Sequence, residues 1–325
     1  MRLARMWACL VVLGALAIPP SRASWGQGLP EVRVPVLASG ITSVIQVVAE
    51  ARHFDRAHGF RFVSSPPYES LDAYYADFLK GQFDVEGGIT ESYALRFLRG
   101  APMQIVSTLV AMGASLLVRD PSITTVGALR GRTIAAPITS GRYGLLRGLV
   151  LKYDGFDLDR EAKVISAPNP TASLTFLLAG RADAALSWEP AVSSALLRNP
   201  SLRVLLDTRI EYRTRTGRDL YQVVLAAHRD MVRRDPGLVR RIVAAYRDAA
   251  EFLESDAPSA ASLVSQRLDL PKEAVLEGMR SRRVAFVVRP VTDPVVRRAI
   301  LDELQMLQSL NLLPGGISDA FFAQL

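Results

Sequence analysis

Six short segments carry side chains that could do chemistry on a small molecule. They are Ser39-Gly40-Ile41-Thr42, Ser65 to Glu69 with Tyr68 inside it, Gly88-Ile89-Thr90-Glu91, Thr139-Ser140-Gly141-Arg142, Asn169, and Trp188-Glu189. Each follows an extended apolar run, and several directly precede a run with helical spacing. Hydroxyls and glycines in front of a helix let a ligand approach unpaired backbone N–H groups, where the helix dipole also favours negative charge. Arg142 adds a guanidinium able to grip a carboxylate or sulfonate through two bonds. Glu91 and Glu189 point the other way, toward an amino group, and Trp188 offers a flat face. The residues describe non-covalent capture and leave the ligand open between an anion and an aromatic or amine. Plainer readings stand beside these. Trp188 also suits core packing, Glu189 a first-turn acid before Pro190, Thr90 and Glu91 a helix cap, and Arg142, Tyr68 and Glu69 a solvated surface.

Catalytic patterns are missing from the sequence. His53 and His58 are five apart and diverge on a helix, unlike the four-residue spacing of a zinc-binding pair. No Gly-x-Ser-x-Gly turn and no Gly-Lys-Ser/Thr loop occurs, and Gly141, Gly144 and Gly148 do not have dinucleotide spacing. Cys9 is the single cysteine, so disulfides and cysteine-ligated metals are excluded. The expectation is a binding protein with no catalytic residue, metal or cofactor.

The elements that place these segments come in two copies. Phe78 to Ser92 reads FLKGQFDVEGGITES and Leu177 to Ala191 reads LLAGRADAALSWEPA. Gly81 aligns with Gly180 and Asp84 with Asp183, an offset of 99 in both cases. Around them the pattern strand, helix, strand, helix, strand occurs twice. The strands are 32–37, 60–63 and 83–85, then 132–136, 163–166 and 182–186. The helices are 43–58 and 70–79, then 143–153 and 172–178. Such a series builds a parallel sheet flanked by helices, and ligands of such sheets sit beyond the carboxyl ends of the strands. Met103 to Val118 and residues 204–227 read as strands crossing between two lobes, the second pair flanking a polar loop. Asp235-Pro236 and Asp293-Pro294 start helices, which are expected to pack back on the first lobe. The fold class is α/β with two lobes and a cleft between them. Residues 31–112 form the first part of lobe 1, 113–209 form lobe 2, and 210–325 return to lobe 1 and end in helices.

Residues 1–23 read as a secretory signal peptide. Arg2 and Arg5 precede an apolar run from Trp7 to Ile18, and a small residue, Ala23, ends the segment. The run is shorter than the roughly 20 residues a membrane span needs. Cleavage near Ala23 removes three arginines and no acid, so the net charge of +7 falls to about +4. Charges are interspersed, with no run of five of one sign and no basic stretch mixed with aromatics, which argues against nucleic acid. The expected location is the periplasm, as a monomer.

Four segments in order carry a resemblance: Phe54-x4-Gly59, Gly100-x-Pro102, Leu129-x-Gly131-Arg132-x-Ile134-Ala135, and Asp183-Ala184-x4-Glu189-Pro190. With the two lobes and the helical tail, they resemble type II periplasmic solute-binding proteins over about residues 31–255. The nearest group is the one that binds nitrate, sulfonates, taurine and thiamine pyrimidines. The resemblance implies hinge closure on a small solute and transient docking on the permease of an ABC importer. It also implies an alternative, binding or synthesis of a thiamine pyrimidine on the same fold. The synthases of that group are implied to use a cysteine-rich motif and a histidine with pyridoxal phosphate, and the exported chain would have no cysteine.

Overall fold

The structure, a computed structural model, describes residues 28–38, 40–268 and 270–325. The signal-peptide reading and Ser39 fall outside the described residues. The first repeat runs β1 (Glu31–Leu37), α1 (Ile41–Ala51), α2 (Phe54–Ala57), β2 (Arg61–Tyr68), α3 (Leu71–Leu79), β3 (Val85–Ile89) and α4 (Thr90–Leu98). The chain then crosses through β4 (Met103–Met112) and β5 (Ser115–Val118). The second repeat is β6 (Thr133–Ala136), α5 (Gly141–Asp154), α6 (Leu158–Glu161), β7 (Lys163–Ser166), α7 (Pro170–Leu178), β8 (Ala184–Ser187) and α8 (Ala191–Arg198). The return comprises β9 (Arg203–Asp207), α9 (Thr208–Thr216) and β10 (Val223–His228). The tail holds α10 (Arg229–Arg234), α11 (Pro236–Ser255), α12 (Ala257–Leu268), α13 (Lys272–Arg280), β11 (Val284–Phe286) and α14 (Pro294–Ser309).

The repeat in the sequence is a repeat in space. Gly81 and Gly180 have φ of 81° and 70°, left-handed conformations that close α3 and α7 and that a side chain would strain. The two aspartates then do one job twice. Asp84 accepts the backbone N–H of Arg33 at 2.8 Å, and its own N–H donates to the Arg33 carbonyl at 2.9 Å. Asp183 accepts the N–H of Thr133 at 2.8 Å, and its N–H donates to the Thr133 carbonyl at 2.8 Å. An arginine joins each clamp, Arg33 to Asp84 at 2.7 Å and Arg132 to Asp183 at 3.2 Å. Each lobe thereby fastens its last strand to its first.

The sheets are mixed, for a reason visible in the pairing. Strands of the repeats run parallel, β1 with β2 and β6 with both β7 and β8. The crossing strands run against them, giving the orders β11-β4-β10-β3 and β7-β6-β8-β5-β9. The two crossings touch. Ala114 N–H donates to Thr208 Oγ1 at 2.8 Å, and Thr208 N–H donates to the Ala114 carbonyl at 2.9 Å. Gly113 has to be glycine here, because a Cβ would lie 2.3 Å from Thr208 Oγ1. Around this double crossing one apolar core continues from Val32 of β1 and Val44 of α1 to Ile134 of β6 and Leu186 of β8.

Four expectations need correction. The helix read over 43–58 breaks at His53, which sits at φ 57°, so α1 and α2 are separate. The second strand does not close at Ser64 but runs through Pro66 and Pro67 to Tyr68, paired with β1 only, so its other edge needs no proline N–H. The polar loop after residue 206 is helix α9, whose N-cap Asp207 accepts from the N–H groups of Arg209 and Ile210. The tail does not pack on the first lobe alone. Helix α11 lies on α1, but α13 packs on α8 and α14 touches both α4 and α5. Among the described residues no helix is long and apolar enough to cross a membrane.

Candidate functional site

Between the two sheets lies a cleft of about 450 Å³. From the first half it takes Leu37, the start of α3 from Glu69 to Asp72, Tyr75, and Ser92 and Arg96 of α4. From the second half it takes Pro137, Thr139, Ser140, the segment from Ser166 to Pro170, and Trp188. Three helices begin at this wall. Ser70 caps α3 by accepting from Ala73 N–H at 3.3 Å, Ser140 caps α5 through Arg142 N–H at 3.3 Å, and Asn169 caps α7 through Ala172 N–H at 2.8 Å. Each cap satisfies one N–H and leaves others of the first turn facing the cleft end of the helix. The cleft also holds one guanidinium. Arg96 lies 4.0 Å from the centre of the Tyr75 ring and donates to the Ser92 carbonyl at 2.9 Å. Its partners are a ring face and a carbonyl, not a carboxylate, so its charge is available to a ligand. Two exposed acids, Glu69 and Asp72, share the cleft wall.

Of the residues singled out in the sequence, Glu69, Thr139, Ser140, Asn169 and Trp188 line this cleft. The others sit behind it or beside it. Gly40 is the N-cap of α1 at the first sheet's edge, and Thr42 packs its methyl where a Cβ on Gly87 would come within 2.9 Å. Ser65 accepts from Val36 N–H at 3.1 Å and so joins β1 to β2. Tyr68 donates to Asp77 Oδ2 at 2.9 Å. Gly88 leaves room for the Tyr93 hydroxyl, 2.7 Å from a Cβ built there. Thr90 is fully buried and donates to the carbonyls of Tyr221 and Gln222. Gly141 lets the second lobe approach the first, since its Cβ would lie 2.8 Å from Cβ of Glu91.

Arg142 and Glu189 are placed differently from a ligand-gripping pair. Arg142 is only 4% exposed. Its Nε donates to Gln222 Oε1 at 3.1 Å, and its guanidinium stacks 4.6 Å from the Trp188 ring. Burial lowers its pKa to about 10, so it stays charged at neutral pH and holds the indole from behind. Gln222 passes the contact on, donating to Glu91 Oε1 at 2.7 Å. Glu91 in turn meets Glu303 of α14. Glu91 Oε2 and Glu303 Oε1 are buried without a donor from any other described residue. Burial raises both carboxyls above their ordinary range, and the neighbouring Glu91 charge raises Glu303 further, which favours one proton held between them. Glu189 is 3% exposed and bonded three times: to Arg283 Nε at 2.6 Å, to Ser193 N–H at 3.0 Å and to the Ser193 hydroxyl at 2.9 Å. These chains of contacts tie lobe to lobe.

Sequence reasoning missed Arg96, Ser92 and Tyr75. Ser92 and Arg96 are four apart on α4, hence on one face. That spacing, just after the loop Gly88 to Glu91, was a usable signal. Tyr75 gave none, since it lies in the apolar run of α3. No group of three or more His, Cys, Asp or Glu that could hold a metal ion occurs among the described residues.

Solved structures share this architecture. The alkanesulfonate-binding protein SsuA from Xanthomonas axonopodis pv. citri, bound to MOPS, is similar with a TM-score of 0.72 and 19% identity, covering 89% of this chain and 96% of the other. The periplasmic aliphatic sulphonate binding protein SsuA from Escherichia coli gives 0.74 and 18%, covering 91% and 92%. The desulfurization enzyme DSZB gives 0.64 and 18%, covering 90% and 96%. These likenesses establish the two-lobed type II binding-protein fold. A search of curated proteins finds no match. The sequence does match the family described as NMT1/THI5 like over residues 76–261. That is more than half of its length, and the chain belongs to the NMT1/THI5-like family.

Proposed function

We propose that this protein is the solute-binding component of an ABC importer that captures a small organic sulfonate in the interlobe cleft. The observation that carries this reading is the convergence of three helix N-termini and the Arg96 guanidinium on one cleft with two aromatic walls, Tyr75 and Trp188. A sulfonate has three oxygens and one negative charge. Backbone N–H groups and a guanidinium satisfy such an anion without a counter-acid, while the rings cover the carbon part. The SsuA neighbours, named for alkanesulfonates, support the same class. Closure proceeds about the touching crossings at Ala114 and Thr208, and the closed protein delivers its solute to a membrane permease from the periplasm as a monomer. The protein performs no chemistry on the solute.

A second reading is supported by DSZB, an enzyme on this fold. The resemblance of the four sequence segments also keeps thiamine pyrimidines in view. One experiment separates the readings. The protein is heated with nitrate, taurine, alkane- and arylsulfonates, aromatic carboxylates and thiamine pyrimidines, and the ligand is then recovered for mass spectrometry. At a hundred times its dissociation constant a true ligand adds about 2.7 kcal/mol of stability. Stabilisation by a sulfonate that returns unchanged supports the proposal. A sulfonate returned as sulfite, or stabilisation by a pyrimidine alone, removes it.

A further inference from the structure

Trp188 and Pro170 line two cavities at once. One is the cleft. The other is a groove of about 310 Å³ lined by α7 and α8 of the second lobe. Its walls are Leu174 and Leu178 from α7, Ala191 and Ala195 from α8, and Leu270 beyond α12. Leu178 stays 36% exposed. The α8 side is kept open by short side chains, Ser194 among them. Polar groups at the groove, Thr171, Thr175 and Arg198, belong to residues half or fully exposed, and none is a buried charge. The α7 and α8 walls therefore suit slim hydrocarbon, with the exposed Arg198 at the rim as the groove's one charged group.

Trp188 borders both spaces. One face of its indole carries the Arg142 guanidinium at 4.6 Å, held in turn by Gln222. The ring is thus fixed from behind, and its remaining surface is shared by cleft and groove. A molecule anchored by its anionic head at Arg96 and at the starts of α3, α5 and α7 directs its other end along Trp188 and Pro170. The space it meets there is apolar.

We infer that the α7–α8 groove is a tail subsite, and that the solute is a sulfonate with an extended alkyl or arylalkyl chain running from the cleft past Trp188 into it. The inference rests on the cleft being a sulfonate site. Short solutes such as taurine use only the head contacts and bind less tightly.

The test is calorimetric titration with linear alkane-1-sulfonates from ethane to octane, for the full protein and two variants. Ser194→Trp fills the groove, and Leu178→Glu makes its rim polar. The wild type is expected to gain about fourfold in affinity per methylene once the chain reaches the groove, the value for a buried CH₂. Both variants are expected to keep the ethanesulfonate affinity and lose the gain. Unchanged ethanesulfonate binding also certifies their folding. If ethanesulfonate binds and the wild-type series is flat beyond propane, the tail subsite is wrong and the sulfonate cleft stands. If the gain survives in both variants, the chain lies elsewhere and the inference is again wrong. If no sulfonate binds, the cleft reading fails and takes the tail subsite with it.

Discussion

Replacing Arg283 by Met should be among the most damaging single changes in this protein. Arg283 and Glu189 form an ion pair at 2.6 Å with side chains 10% and 4% exposed. Arg283 Nη2 also donates to the Ser193 hydroxyl at 2.9 Å. The pair joins the corner after β8, next to Trp188, to the turn before β11, which pairs with β4 of the other sheet. R283M leaves the Glu189 carboxylate buried with Ser193 as its one remaining partner. Losing one member of such a pair costs about 3–5 kcal/mol, mostly the uncompensated charge. At roughly 2.1 cal/mol/K of unfolding entropy per residue, a chain of this length loses about 5–7 °C in Tm. The double variant E189Q/R283M removes the charge as well, and should recover to within about 1–2 kcal/mol of wild type. Differential scanning calorimetry on the wild type, R283M and E189Q/R283M at pH 7 reads both numbers. A single variant within 1 °C of wild type, or a double variant as unstable as the single, would refute the buried-charge argument.

Four further substitutions follow from the same physics. In E303Q the amide supplies Glu91 with a permanent donor. Burial raises both carboxyls, so the folded wild type holds more protons than the unfolded chain, and its stability falls as pH rises from the ordinary carboxylate value of 4.5 through the raised folded values. E303Q should match wild type near pH 5 and exceed it near pH 8, and parallel Tm–pH curves would contradict the shared proton. Gly113→Ala places a methyl 2.3 Å from Thr208 Oγ1 at the double crossing. The overpacking penalty of about 1–3 kcal/mol should appear in urea titrations. Asp84→Ala and Asp183→Ala each strip the acceptor from a strand N–H at 2.8 Å. Each should lose about 1–3 kcal/mol, and similar losses are expected because the two clamps are copies.

The scaffold was legible where its causes are local. Gly81 and Gly180 stop helices within their own turns, and the strand–helix order repeats on a 99-residue offset. Asp235-Pro236 and Asp293-Pro294 start helices by capping chemistry that lies within four residues. The site was legible only in part. Ser140 and Asn169 were singled out as cleft residues in loops ahead of helices, and the structure shows that they also cap those helices. Arg142 and Glu189 depend on partners 80 and 94 residues away, Gln222 and Arg283, and no local pattern reveals them. Helix α9 was missed because its sequence, TRIEYRTRT, is polar almost throughout. It is held by Asp207 at its start and by the Arg209–Asp219 pair at 2.8 Å. Arg96 was missed because a lone arginine in α4 looks like surface charge until the other lobe closes over it.

The central claim is that Arg96 and the converging helix starts hold a sulfonate head. The direct test is calorimetric titration of one alkanesulfonate, butane-1-sulfonate, into the wild type and Arg96→Gln at low ionic strength. A hydrogen bond to a charged group contributes about 1.5–3 kcal/mol, so the account predicts an affinity loss of about 10- to 150-fold. The melting temperature of the ligand-free variant should change little, because Arg96 touches only a ring face and one carbonyl. Equal affinities in the two proteins, or a wild type that takes no sulfonate at all, would contradict it.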